Sequence, residues 1–147
     1  MLKDKLQQEM KDALKSGDSR KRTLLGMVLS AVKNKEIEKR GELNEEDIVA
    51  VVSSEIKKRR DSVEQYQKGG RSDLAEQEKK EAEMLMAYMP EQMSEDEVLS
   101  EVKKAISETG AKDIKEMGKV IGAVMAKVKG KADGQMVSRI VKGELQK

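Results

Sequence analysis

The chain has 147 residues, 39% of them charged and 37% hydrophobic, with 30 Lys and Arg against 28 Asp and Glu. It has no Cys, His, Trp or Phe, which excludes a thiolate nucleophile, an imidazole base, a disulfide framework and the usual zinc sites. The longest charge-free stretch, 23–32, is ten residues, about half of a membrane span, and the N-terminus carries no apolar signal core, so the sequence reads as a cytoplasmic protein with no membrane association.

Apolar residues recur at helical spacing throughout, and no alternating β pattern persists. Leu2, Leu6, Met10, Ala13 and Leu14 predict a first helix that Ser16-Gly17 stops. Asp18 or Ser19 can cap a second, carrying Leu24, Leu25, Val28, Leu29 and Val32 and running until Gly41. Asn44 caps a third, with Glu45, Glu46 and Asp47 at its positive dipole end. Its stripe of Ile48, Val51, Val52, Ile56, Val63 and Tyr66 ends at Gly69-Gly70, a span of roughly 35 Å. Ser72 opens a fourth helix, through Leu74, Ala82, Leu85, Met86 and Met89, which must finish before Pro90, the single proline.

Three shorter helices follow. Ser94-x-x-Glu97 reads as a capping box for a helix with Val98, Val102, Ala105 and Ile106 that ends at Gly110. Asp113-x-x-Glu116 repeats the spacing and opens a helix with Ile114, Met117, Val120, Ile121, Val124, Met125 and Val128, closed by Gly130. Asp133 caps the last, with Met136, Val137, Ile140, Val141 and Leu145. The expected fold is all-α: an elongated N-terminal helical domain of about four helices over 1–92, then a small three-helix domain over 93–147. Ten methionines replace aromatic residues as adaptable core filler, and Met84, Met86 and Met89 are expected to pack in or between the cores.

Charge is unevenly distributed. Residues 1–92 are balanced, whereas Lys112, Lys115, Lys119, Lys127, Lys129, Lys131, Arg139 and Lys142 face only Asp113, Glu116 and Asp133 over 112–142. Within that stretch, Gly118 and Gly122 lie on one helix face, where each costs about 1 kcal/mol against Ala. They imply close approach by another backbone, either a crossing helix or a bound polymer. Lys129-Gly130-Lys131 joins one helix end to the next helix start, an arrangement suited to phosphate, although Asp133 can fill the same position as the cap. A second basic cluster, Lys57 to Arg60, wraps the whole helix circumference, with Glu55, Asp61 and Glu64 at neutralising offsets. Within it Arg59 and Arg60, with Arg71 beyond the two glycines, form a secondary patch.

No catalytic constellation is visible. Ser53-Ser54 lies inside an amphipathic helix, and the carboxylates fall on polar faces or at caps, where nothing shifts their pKa. No phosphate-cradling glycine loop or dinucleotide fingerprint occurs, so neither a cofactor nor a metal is expected. Stacking platforms for single-stranded RNA are also absent.

Two stretches carry a family resemblance. One is Arg59-Arg60-Asp61-Ser62-Val63-Glu64-Gln65-Tyr66-Gln67-Lys68-Gly69-Gly70-Arg71-Ser72-Asp73-Leu74-Ala75, continuing to Ala87-Tyr88-Met89-Pro90-Glu91-Gln92-Met93-Ser94. The other runs from Gly118 to Gly134 and ends Gly130-Lys131-Ala132-Asp133-Gly134. The chain resembles the GatB/YqeY family over essentially its whole length, and the tail of the GatB amidotransferase subunit over the last ~55 residues, one small module. The resemblance implies a helical N-terminal part and a three-helix C-terminal module. It also implies carbon–nitrogen ligase activity with glutamine as amide donor, in which the related tail contacts tRNA while other domains and a partner amidase do the amidation. The chain has neither the Ser-rich amidase loop nor the kinase-like domain, and Asp133-Gly134 stands where the tail more often has Asn-Pro.

The expected function is an accessory module for tRNA or another structured RNA. Lys127, Lys129, Lys131 and Arg139 contact phosphates, and Gly118 and Gly122 permit close approach. The alternative is a protein adaptor that docks a translation-related enzyme and presents an apolar patch near Pro90. Oligomeric state is left open.

Overall fold

The computed structural model describes every residue from Met1 to Lys147. Seven α-helices and no strand make up an all-α fold: α1 (Leu2–Ser16), α2 (Ser19–Lys39), α3 (Glu45–Lys68), α4 (Ser72–Met86), α5 (Glu95–Thr109), α6 (Met117–Lys127) and α7 (Gly134–Leu145). The chain divides into two compact units, Met1–Met89 and Pro90–Lys147. No helix is long and apolar enough to cross a membrane.

The first unit consists of two antiparallel hairpins. α1 packs chiefly on α2, and α3 packs most extensively on α4. Helix ends are set by local chemistry. Gly17 adopts the left-handed conformation (φ +81°), and its N–H and that of Asp18 both reach the Ala13 carbonyl, closing α1. Asp18 accepts from the Lys21 N–H and opens α2. At the start of α3, Asn44 and Asp47 form a reciprocal capping box that satisfies two orphan donors.

Three features depart from the sequence expectation. Arg40, and not Gly41, takes the left-handed position (φ +60°) that ends α2, an unusual conformation for a residue with a Cβ. The Glu36 carboxylate secures this turn by accepting from the Leu43 N–H at 3.2 Å and from Lys3 Nζ at 3.0 Å. Leu14 falls one residue, or 100° of helix, beyond Ala13 and stays 60% exposed. Met1 offers α1 no side-chain cap, and Glu45 fills that role from 43 residues away, accepting from the Leu2 N–H at 2.9 Å.

The first core is built from Leu6, Leu24, Leu25, Val28, Val32, Val52, Ile56 and Leu85, with Met84, Met86 and Met89 packed against its margin. Tyr88 closes one end of it. Its ring is buried, its hydroxyl donates to Glu9 Oε1 at 3.2 Å, and Lys5 Nζ stands 5.5 Å from the ring centroid.

The second unit is a three-helix bundle with a core dominated by valine: Val98, Val102, Val120, Val124, Val128, Val137 and Val141. The larger Met and Ile side chains lie at its margin. Ser94 caps α5 by accepting from the Glu97 N–H at 3.2 Å. The second expected box takes another form. Asp113 caps a single 3₁₀ turn, Ile114–Glu116, and α6 begins only at Met117. The Glu116 carboxylate reaches the Lys112 N–H at 2.6 Å instead of its own cap residue.

Candidate nucleic-acid interface

The basic stretch runs from Lys112 and Lys115, ahead of α6, through α6 and the connector, 128–133, into α7. Val128 ends α6 with its side chain buried in the core, and the Lys131 N–H donates back to the Val128 carbonyl at 2.8 Å. Gly130 takes a left-handed conformation (φ +71°), which lets the chain reverse within so few residues. Both flanking lysines are exposed, and neither ammonium has a carboxylate partner. Two successive connector carbonyls are occupied: Gly130 accepts from Gln92 Nε2 and Lys131 from the Met93 N–H, both at 2.8 Å. The exposed lysines therefore flank a turn whose Gly130 and Lys131 carbonyls are already engaged.

Asp133 accepts from the Gln135 N–H at 2.9 Å and caps α7. Its carboxylate thus sits at the positive end of the α7 dipole, the position that favours negative charge. Lys127 and Arg139 differ from the two connector lysines. Lys127 Nζ lies 3.1 Å from Glu108 Oε2, and Arg139 Nη2 lies 2.5 Å from Glu95 Oε1. Both pairs are solvent-exposed, so each contributes about 0–1 kcal/mol and can exchange its carboxylate for another anion.

Gly118 and Gly122 do not mark a helix crossing. A Cβ built at either position meets no atom within 4 Å, and both residues are exposed on the outer face of α6. Their backbone faces open space.

The secondary patch needs correction. Arg59 is only 5% exposed and points into the first unit, with Nη1 2.9 Å from Glu55 Oε2 and 3.0 Å from the Glu55 carbonyl. Its Nε lies 3.4 Å from Glu81 Oε2, near enough for charge attraction but misaligned for a hydrogen bond. The expectation that every carboxylate lies on a polar face fails at the same place, because Glu55 is 7% exposed. The spacing could have found the pair: 48, 52, 55, 59 and 63 continue one helical stripe, so Glu55 and Arg59 fall on its apolar side. Arg60 and Arg71 remain exposed, Arg60 against Met86 Sδ at 3.6 Å and Arg71 paired with Asp73 at 3.4 Å.

The groove between α2 and α3 does not gather one charge. It has a volume of about 640 Å³ and is lined by Lys35, Glu38, Lys39, Leu43, Asp47 and Val51. Its lysines already pair with Glu38 and Asp47. No three of the chain's carboxylates converge in a way that could hold a metal ion.

Comparison with known proteins places this geometry in a family. The family model described as Yqey-like protein matches residues 3–145. The chain belongs to the YqeY family. Among its curated relatives is the protein called altered inheritance of mitochondria protein 41, mitochondrial. The protein of that name from Lachancea thermotolerans is 36% identical over 85 residues, 57% of this chain and 46% of that protein. The one from Kluyveromyces lactis is 36% identical over 84 residues, 56% of this chain and 45% of that protein. The one from Clavispora lusitaniae is 30% identical over 110 residues, 74% and 64% respectively. The matched part of this YqeY-family chain spans about half the length of most of these relatives.

Proposed function

We propose that this YqeY-family protein is an accessory module that binds the phosphate backbone of a structured RNA, such as tRNA, through its second unit. The observation that carries this reading is the α6–α7 connector. Lys129 and Lys131 are exposed and have no carboxylate partner, and the Gly130 and Lys131 carbonyls are taken up by Gln92 and Met93. Lys127 and Arg139 extend the positive surface once a phosphate competes for their exposed partners. The two aromatic residues, Tyr66 and Tyr88, both belong to the first unit. Recognition by the second unit therefore rests on backbone and shape instead of base stacking.

The adaptor alternative expects an apolar patch by Pro90. The large apolar side chains that are exposed are Met1, Leu14, Met27, Ile37 and Ile114, none of them adjacent to Pro90 in the chain. A link to glutamine-dependent amidation rests on the family resemblance, with this chain supplying a docking surface to chemistry done elsewhere.

The cytoplasm is the proposed compartment, and the mitochondrial names of the yeast relatives make fractionation the natural check. Crosslinking in cells followed by sequencing tests the function itself. Recovery of tRNA or another folded RNA, lost on Lys129→Ala with Lys131→Ala, is the expected result. A complex that survives nuclease, with no RNA recovered, would support the adaptor instead.

A further inference from the structure

We propose that Gln92 is the positioning residue of the α6–α7 connector, so that the segment leading into the second unit and the RNA-contacting lysines form one coupled element. The proposal rests on the RNA reading above. The Gln92 side chain contacts no core residue through a polar atom and plays no capping role. Its amide nitrogen donates to the Pro90 carbonyl and to the Gly130 carbonyl, both at 2.8 Å. Both partners are acceptors, so only the amide nitrogen, with two hydrogens, fits there. One residue later, the Met93 N–H donates to the Lys131 carbonyl at 2.8 Å. Residues 90–93 thus form a strap that holds two successive carbonyls of the connector.

The consequence follows from peptide geometry. In a trans peptide the C=O and the following N–H point in opposite directions. Drawing the Lys131 carbonyl toward the strap fixes the Ala132 N–H in the opposite direction. Drawing the Gly130 carbonyl the same way fixes the left-handed turn that separates Lys129 from Lys131. Without the strap these peptide units rotate, and the entropy of ordering them falls on the binding step. Met93 is packed at the margin of the valine core, which anchors the far end of the strap. Gln92 is the exposed and replaceable tie.

Two measurements on the full chain test this, with a short fluorescein-labelled RNA hairpin as probe. Gln92→Ala should weaken binding about fivefold, the scale of one net hydrogen bond, while the slope of affinity against salt stays unchanged because no charge is lost. Gln92→Glu, which has no amide hydrogens, should weaken it further. By contrast, Lys129→Ala with Lys131→Ala should lower the slope. Linkage is reciprocal, so the hairpin should slow hydrogen exchange at the Met93 amide in the wild-type protein, and this slowing should shrink in Gln92→Ala. Wild-type affinity in Gln92→Ala, with Met93 exchange indifferent to the hairpin, would overturn the strap and leave the RNA reading standing. Failure of the wild-type chain to bind the hairpin at any salt would overturn both.

Discussion

Arg59 Nη1 stands 2.9 Å from Glu55 Oε2, one turn earlier on α3, and the two side chains form a buried ion pair in the first unit. Glu81 of α4 approaches the same guanidinium at 3.4 Å, and Met27 Sδ of α2 at 3.8 Å. Three helices thus meet at a single cation. Removing one member of a buried pair leaves the other charge desolvated and uncompensated, at a cost of about 3–5 kcal/mol. Arg59→Ala should therefore lower the urea midpoint sharply, whereas Arg60→Ala, at an exposed position, should leave it nearly unchanged. Equal, small effects from both would show that the pair carries no structural weight.

Open space around Gly118 and Gly122 gives a prediction with the opposite sign. Neither residue has a positive φ, and neither would bring a Cβ within 4 Å of another atom. Gly→Ala at each should raise stability by about 0.5–1 kcal/mol through helix propensity and a less flexible unfolded chain. Thermal melting reads this directly. A lower melting temperature would mean that the α6 face is packed against something after all.

Asp133 holds two roles that a single substitution separates. As N-cap it contributes about 1 kcal/mol, and as a carboxylate at the α7 N-terminus it competes with any bound phosphate. Asp133→Ala should melt earlier yet bind the RNA hairpin more tightly. Asp133→Asn keeps a capping oxygen without the charge and should retain stability while still gaining affinity. Loss of both stability and affinity in Asp133→Asn would contradict this division of roles.

Tyr88 supplies a pH readout inside the first unit. Burial, then the Glu9 charge, then the hydrogen bond to Glu9 push its hydroxyl up to about 12. A group whose folded pKa is raised contributes stability below its ordinary value of 10, and that contribution is lost as pH rises from 10 through about 12. Absorbance titration of a Tyr66→Phe variant isolates Tyr88 and should show ionisation near that upper value, falling in Glu9→Gln. At the acid end the sign reverses. Lys3, with help from the Leu43 N–H, holds the Glu36 carboxyl below its ordinary value of 4.5. Its contribution is present above that pH and is lost as pH falls through the lowered pKa. Lys3→Met should therefore flatten part of the acid limb of the stability curve.

Much of the fold was legible because several helices carry their own punctuation. Asp18, Asn44, Ser94 and Asp133 cap where the sequence places them, and Gly17 and Gly110 terminate by going left-handed. Features set by contacts distant in sequence were not legible. Glu45 capping α1 across 43 residues has no local trace, and neither has the strap from Gln92 to Gly130. The buried Glu55–Arg59 pair was legible in principle, but reading Lys57 to Arg60 as one charge run hid the position that falls on the apolar stripe. Gly118 and Gly122 show the limit of propensity arguments: spacing put them on one face, and only packing could tell a crossing helix from open solvent. For the proposed interface, sequence singled out the basic stretch, and the structure separates Lys129 and Lys131 from the ion-paired Lys127 and Arg139.

Salt-dependent binding is the most direct test of the central claim. Fluorescence anisotropy of the labelled RNA hairpin should show affinity for the wild-type protein falling linearly on a log–log plot against salt, by about one unit of slope per phosphate neutralised. Lys129→Ala with Lys131→Ala should reduce that slope by about two and weaken hairpins of unrelated sequence equally. Binding that is flat from low to high salt, or unchanged in the double variant, would contradict the account.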